Sequence, residues 1–151
     1  MIGLQVSEIF VRGITMSVEK NKILVQRMVE DCINKNDQAV ADEIFAADFI
    51  NHSPQFGITP DRTGLKQMIT GLHEGFSDYH LAIEEIIAED DRIALRVRNT
   101  GTHTGNLMGI PPTHKRMDLC SITILHIAGG KVKERWNLMN ELELRRQLGL
   151  M

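Results

Sequence analysis

Apolar residues recur at helical spacing along the first half of the chain and at strand spacing along the second. Val25, Met28, Val29 and Cys32 stand at i, i+3, i+4 and i+7, the stripe of an amphipathic helix that Ser17 can cap and whose first turn carries Glu19. A second, shorter helix follows Asp37, with Val40, Ala41, Ile44 and Phe45 on one side. Thr59 and Pro60 fit the N-cap and first position of a third, which puts Leu65, Met68, Ile69 and Leu72 on one face and ends near Gly75. From Tyr79 the period changes to two. Tyr79 to Glu89, Arg92 to Thr104, Met117 to Ala128 and Lys131 to Asn140 read as strands, with Asp90-Asp91 and Gly129-Gly130 where tight hairpin turns are wanted.

Helices first and hairpins afterwards predict an α+β fold, with the N-terminal helices packed on a curved antiparallel sheet. The run Leu119 to Ile127 is apolar on both parities: Leu119, Leu125 and Ile127 on one, Cys120, Ile122 and Ile124 on the other. A strand of that kind needs cover on each face. The helices supply one cover, which leaves the second face as a filled interior or a subunit interface.

At 151 residues and 42% hydrophobic, the chain suits one compact domain with a sizeable core. Met16-Ser17 reads as a plausible start, so residues 1–16 are expected to be an N-terminal extension and 17–151 a single domain. Seventeen basic and twenty acidic residues give a net charge of −3, with no basic run and a single Trp and Tyr, which argues against a nucleic-acid surface. The apolar stretches are too short for a membrane span, and the N-terminus lacks the pattern of a secretory signal. The chain's two cysteines, Cys32 and Cys120, lie in apolar surroundings where a thiol is unreactive; they form no disulfide framework, so a reducing cytoplasm is the expected compartment. His73-Glu74 is followed by His80 and makes no metal-ligand spacing, and Gly129-Gly130-Lys131 is a hairpin turn rather than a phosphate loop. No metal and no organic cofactor is expected.

Three stretches point to a family. Gly101-Thr102-His103-Thr104-Gly105-Asn106-Leu107-Met108-Gly109-Ile110-Pro111-Pro112-Thr113, then Gly129-Gly130-Lys131-Val132-Lys133-Glu134-Arg135-Trp136, then Arg146-Gln147-Leu148-Gly149 together resemble the SnoaL-like polyketide cyclases, also described as predicted ester cyclases. That family belongs to the nuclear transport factor 2-like superfamily, and the resemblance runs from about Glu19 to Leu150. It implies a cone-shaped α+β barrel, a homodimer formed through the sheet, and a cavity bordered by His52, His103 and Trp136. Members usually carry an acid/base aspartate four residues after that tryptophan; this chain has Asn140 there, and an amide cannot exchange a proton near neutral pH.

On the residues alone, the parity Ile93, Leu95, Val97, Asn99, Gly101, His103 is apolar at depth and polar at its end, as a small-molecule pocket is lined. Trp136, Leu138 and Asn140 share a parity on the last strand. His52 and His103 are the candidate bases, imidazole being suited in pKa to that work, and Asn140 the candidate hydrogen-bond donor to a substrate oxygen. Trp136, Asn99, Asn51, Met139 and Asp118 are the candidate substrate contacts. His73, His80, His114 and His126 read as surface or structural. Two functions follow: a cofactor-independent cyclase-like enzyme working by acid/base chemistry on a small carbonyl compound, or a non-catalytic small-molecule-binding protein on the same fold. Neither calls for nucleic acid or membrane.

Overall fold

The computed structural model describes residues 17–151. The expected extension over residues 1–16 lies outside the described residues. Helix α1 covers residues 17–27 and runs on into a widened, π-type stretch over Met28–Asn34. It is followed by α2 (Gln38–Ile44), β1 (Phe45–Asn51), α3 (Arg62–Gly75), β2 (His80–Glu89), β3 (Arg92–Thr102), β4 (Arg116–Ala128), β5 (Lys131–Met139) and α4 (Glu141–Gln147). The stripe read from the sequence is the one that packs: Val25, Met28, Val29 and Cys32 are all buried. Asp37 caps α2 by accepting the backbone N–H groups of Ala39 and Val40 at 3.0 and 3.2 Å.

The expected α+β architecture is what the chain adopts, with helices against one face of a five-stranded sheet in the order β1-β5-β4-β3-β2. Strands β2 to β5 pair antiparallel in the order expected. Two elements differ from the sequence reading. Phe45, assigned above to the second helix, opens β1, which pairs parallel with β5 and makes the sheet mixed. Its signal is weak because Ala46, Ala47 and Asp48 are poor strand formers, and a parallel partner some eighty residues away leaves no hairpin turn to mark it. The short helix α4 was also unread. In α3, Asp61 rather than Thr59 is the cap: its carboxylate accepts the Gly64 N–H at 2.8 Å and the Thr59 hydroxyl at 2.7 Å.

The core lies between α1, α2, α3 and the inner sheet face, with Val29, Ile44, Phe45, Ile69, Ile93, Leu95 and Leu125 fully or almost fully buried. A second cluster of Phe76, Tyr79, Leu107, Met117, Leu119, Leu144 and Leu148 fastens α4 and the loop after β3 to the sheet. That loop is clamped to the end of α3, where Thr104 and Gly105 both donate N–H to the Gly75 carbonyl at 3.1 and 3.0 Å. A Cβ at Gly105 would lie 2.0 Å from the Glu74 carbonyl oxygen, so only glycine allows this approach.

Candidate functional site

Strand β4 alternates strictly between buried and exposed from Arg116 to Leu125, and its register fixes which neighbouring residues share each face. Ser121 and Thr123 point inward, with Asn99 beside them on β3 and Arg135, Asn137 and Met139 on β5. They form the polar wall of an enclosed cavity. The opposite wall is hydrocarbon from the helices: Met28, Val29 and Ile33 of the π-type stretch, and Leu65, Met68, Ile69 and Leu72 of α3. Gln55, Phe56, Leu107, Met139 and Leu144 line both this cavity and a neighbouring recess that reaches Arg145 and Glu141. Phe56 holds a left-handed backbone (φ 57°), uncommon for a bulky side chain, and so projects its ring at that junction.

The polar groups are wired in two short chains. Tyr79 donates its hydroxyl to Asn99 Oδ1 at 3.0 Å, and Asn99 Nδ2 donates to Ser121 Oγ at 3.1 Å. Thr123 donates to Asn137 Oδ1 at 2.8 Å. Each chain therefore ends on an uncommitted donor, the Ser121 hydroxyl hydrogen and the Asn137 Nδ2–H group. Arg135 adds guanidinium N–H groups, of which Nη1 donates to Asn51 Oδ1 at 3.2 Å. Burial pushes the Tyr79 phenol upward, keeping it a donor, and pushes Arg135 down to about 10, which leaves it charged at neutral pH. Arg135 is half-buried and lines the cavity.

Of the residues singled out from the sequence, Asn99 and Met139 line this cavity, and Asn51 is buried beside Arg135. His52 and Trp136 lie together on the other face of the sheet, their rings stacked 4.5 Å apart and 7° from parallel. There His52 Nε2 is 3.1 Å from Glu134, whose other oxygen is 2.7 Å from His126 Nδ1, and Arg92 sits 5.5 Å over the Trp136 ring. The two histidines hold the Glu134 carboxyl below the usual carboxylate range, His126 contributing most. His103 is fully buried outside the cavity lining: its Nδ1 accepts the Thr113 N–H at 3.3 Å, and burial lowers its pKa, so the neutral ring pins the loop between β3 and β4. Asn140 caps α4 by accepting the Glu143 N–H at 3.0 Å. Asp118 pairs with Arg98 on the outer face at 2.7 Å. The geometry thus gathers Asn99, Met139 and Asn51 and leaves His52, His103, Asn140, Trp136 and Asp118 outside the cavity.

Arg135, Asn137, Ser121, Thr123 and Tyr79 escaped the sequence reading. A signal for the first two existed in the parity opposite to Trp136 on β5. Apolar bias pointed to the wrong one, because here the outward face carries Trp136 and Leu138.

The sequence from residue 23 to 148 matches the model of the SnoaL-like polyketide cyclase family. The chain belongs to that family. Among its SnoaL-like relatives, the aklanonic acid methyl ester cyclase DnrD of Streptomyces peucetius is 30% identical over 133 residues, spanning 83% of this chain and 88% of the relative. Two solved structures share the fold. TsrD from Streptomyces laurentii superposes with a TM-score of 0.79 at 22% identity, covering 88% of this chain and 97% of that one. AclR from Streptomyces galilaeus gives 0.76 at 30% identity, covering 89% and 84%. Among the described residues, no cluster of three or more His, Cys, Asp or Glu is arranged to hold a metal, and no helix is long and apolar enough to cross a membrane.

Proposed function

We propose that this SnoaL-like chain is a cofactor-independent cyclase-like enzyme that closes a ring in a small carbonyl compound bound in the cavity. The observation that carries this reading is the polar wall: inside a largely apolar enclosure, the two hydrogen-bonded chains end in donors, Ser121 Oγ–H and Asn137 Nδ2–H. Donors aimed into a largely apolar cavity suit an oxygen that gains negative charge during reaction. A carbonyl oxygen becoming an enolate is such an oxygen. In this mechanism the carbon between two carbonyls loses a proton to water, and the enolate oxygen accepts from Asn137 and Ser121. The carbanion carbon then attacks a second carbonyl of the folded substrate, and the new alkoxide takes a proton back. The apolar wall holds the chain of the substrate in the ring-closing shape, an entropic contribution. The family's name and that of its relative, a methyl ester cyclase, support this class of chemistry.

The test is an aldol-cyclisation assay on a β-keto ester that carries a second carbonyl in reach of its central carbon. Turnover above the buffer rate, inhibited by non-reactive analogues that bind in the cavity, is expected. Saturable binding with no turnover across such substrates would replace the enzyme by the binding-protein reading.

A homodimer through the outer sheet face belongs to the same proposal. Ile122, Ile124 and Leu138 are 45, 43 and 77% exposed and adjacent across β4 and β5, with Ile87 in line on β2. Ion pairs of Arg96 and Arg98 with Glu84, Glu85 and Asp118 flank them. A contiguous apolar patch with a polar rim marks an association surface. Light scattering at micromolar concentration is expected to give twice the 17.1 kDa of one chain, and a mass near 17.1 kDa would count against it.

A further inference from the structure

We infer that the cavity takes a ligand that bears a carboxylate in addition to its reacting carbonyls, and that Arg135 selects it by that group. The inference rests on the proposed use of the cavity as the substrate site and names the substrate's charge.

Arg135 sits on the inward parity of β5, opposite Leu125 and two positions before Asn137. It is the only charged side chain in the cavity lining among the described residues. Among the described residues its guanidinium hydrogen-bonds to a neutral amide, Asn51 Oδ1, and forms no ion pair with an Asp or Glu. Asn51 Nδ2, on the same amide, is buried with no hydrogen-bond partner. Cations on the same and neighbouring strands are matched instead. Arg96 and Arg98 are matched on the outer face, and Lys133, two residues from Arg135, holds Asp48 at 2.6 Å.

A half-buried guanidinium left without a counter-ion is unfavourable, and an entering anion relieves it. The planar fork of N–H donors fits the two oxygens of a carboxylate, and such charge-assisted pairs are the strong ones. An ester or ketone offers lone pairs and no charge. Tyr79, the other titratable group of the wall, stays a neutral phenol and does not compete. The neighbouring recess carries both Arg145 and Glu141 and so does not sort ligands by sign, which leaves the sorting to Arg135.

The experiment is titration calorimetry at pH 7.5 with two probes of similar shape, sodium 2-naphthoate and the neutral ketone 2-acetylnaphthalene, on the unaltered protein and on Arg135→Met. Unaltered protein should prefer the carboxylate by roughly 10- to 100-fold, the range for a hydrogen-bonded charge. Arg135→Met should lose that preference, its affinity for the carboxylate falling toward that for the ketone, and Arg135→Lys should recover part of it. Equal affinity of the unaltered protein for the two competing probes would overturn the inference and leave the carbonyl-binding cavity standing. A carboxylate preference that survives in Arg135→Met would overturn the role of Arg135. Failure of both probes to bind would remove the cavity reading and the inference with it. Should Arg135→Met not fold, the ratio of the two probes on the unaltered protein decides alone.

Discussion

Replacing Asn137 by alanine is expected to lower kcat/KM for ring closure by about 10²–10³-fold, the cost of losing one donor to a developing oxyanion. The loss should fall mainly on kcat, because the bond strengthens as charge builds up in the transition state. Asn140→Ala is the matched control. Asn140 lies on the surface and its side chain is committed to the Glu143 N–H, so its removal should cost about 1 kcal/mol of stability through the lost cap and leave turnover unaltered. Steady-state kinetics and thermal melts of the two variants separate the roles. If Asn140→Ala is the one that loses turnover, the inward parity of β5 is not the catalytic one.

That pair of variants also marks where the sequence was readable and where it was not. The fold class was legible because the period changes from 3.6 to 2 at Tyr79 and because Gly129 and Gly130, both at positive φ, announce a hairpin by themselves. The inward parity of β3 was legible for the same kind of reason: Ile93, Leu95 and Val97 face a closed core, so apolarity and burial coincide. On β5 they do not. Its inward residues, Arg135, Asn137 and Met139, face a polar cavity wall, and its outward Trp136 and Leu138 belong to an apolar outer face. A rule that sends apolar residues inward then selects the wrong side. An arginine in a strand also reads as a solvated charge, and nothing local to Arg135 reveals that the chain folds over it. His52, which the family resemblance puts at the cavity, directly follows β1; its backbone N–H bonds to the Arg135 carbonyl and its ring turns onto Trp136.

Phe76→Ala is expected to cost about 3–5 kcal/mol of folding stability. Phe76 is fully buried at the end of α3, where its N–H bonds to the Leu72 carbonyl at 2.8 Å. Its ring fills the space that Gly101 leaves on β3; a Cβ at Gly101 would lie 2.8 Å from that of Phe76. The ring also packs 5.5 Å from the His103 ring and borders the cavity. Truncation therefore opens a void where the helix end, the sheet and the loop after β3 meet. Chemical denaturation should show the loss as a lower midpoint at nearly unchanged slope. At roughly 2–4 °C per kcal/mol for a chain of this size, the melting temperature should fall by about 10 °C. A loss below about 1 kcal/mol would mean that the surroundings close over the gap, and that the loop is not anchored through this ring.

The strict alternation of β4 has a consequence for how such a protein changes over time. On the proposed function, Ser121 and Thr123 would answer to the ligand inside, while Cys120, Ile122 and Ile124 would answer to the second copy outside. Two selective pressures are thus interleaved on one ribbon without sharing a residue. A lineage could then exchange its ligand by drifting at every second position, with the outer face left as it was.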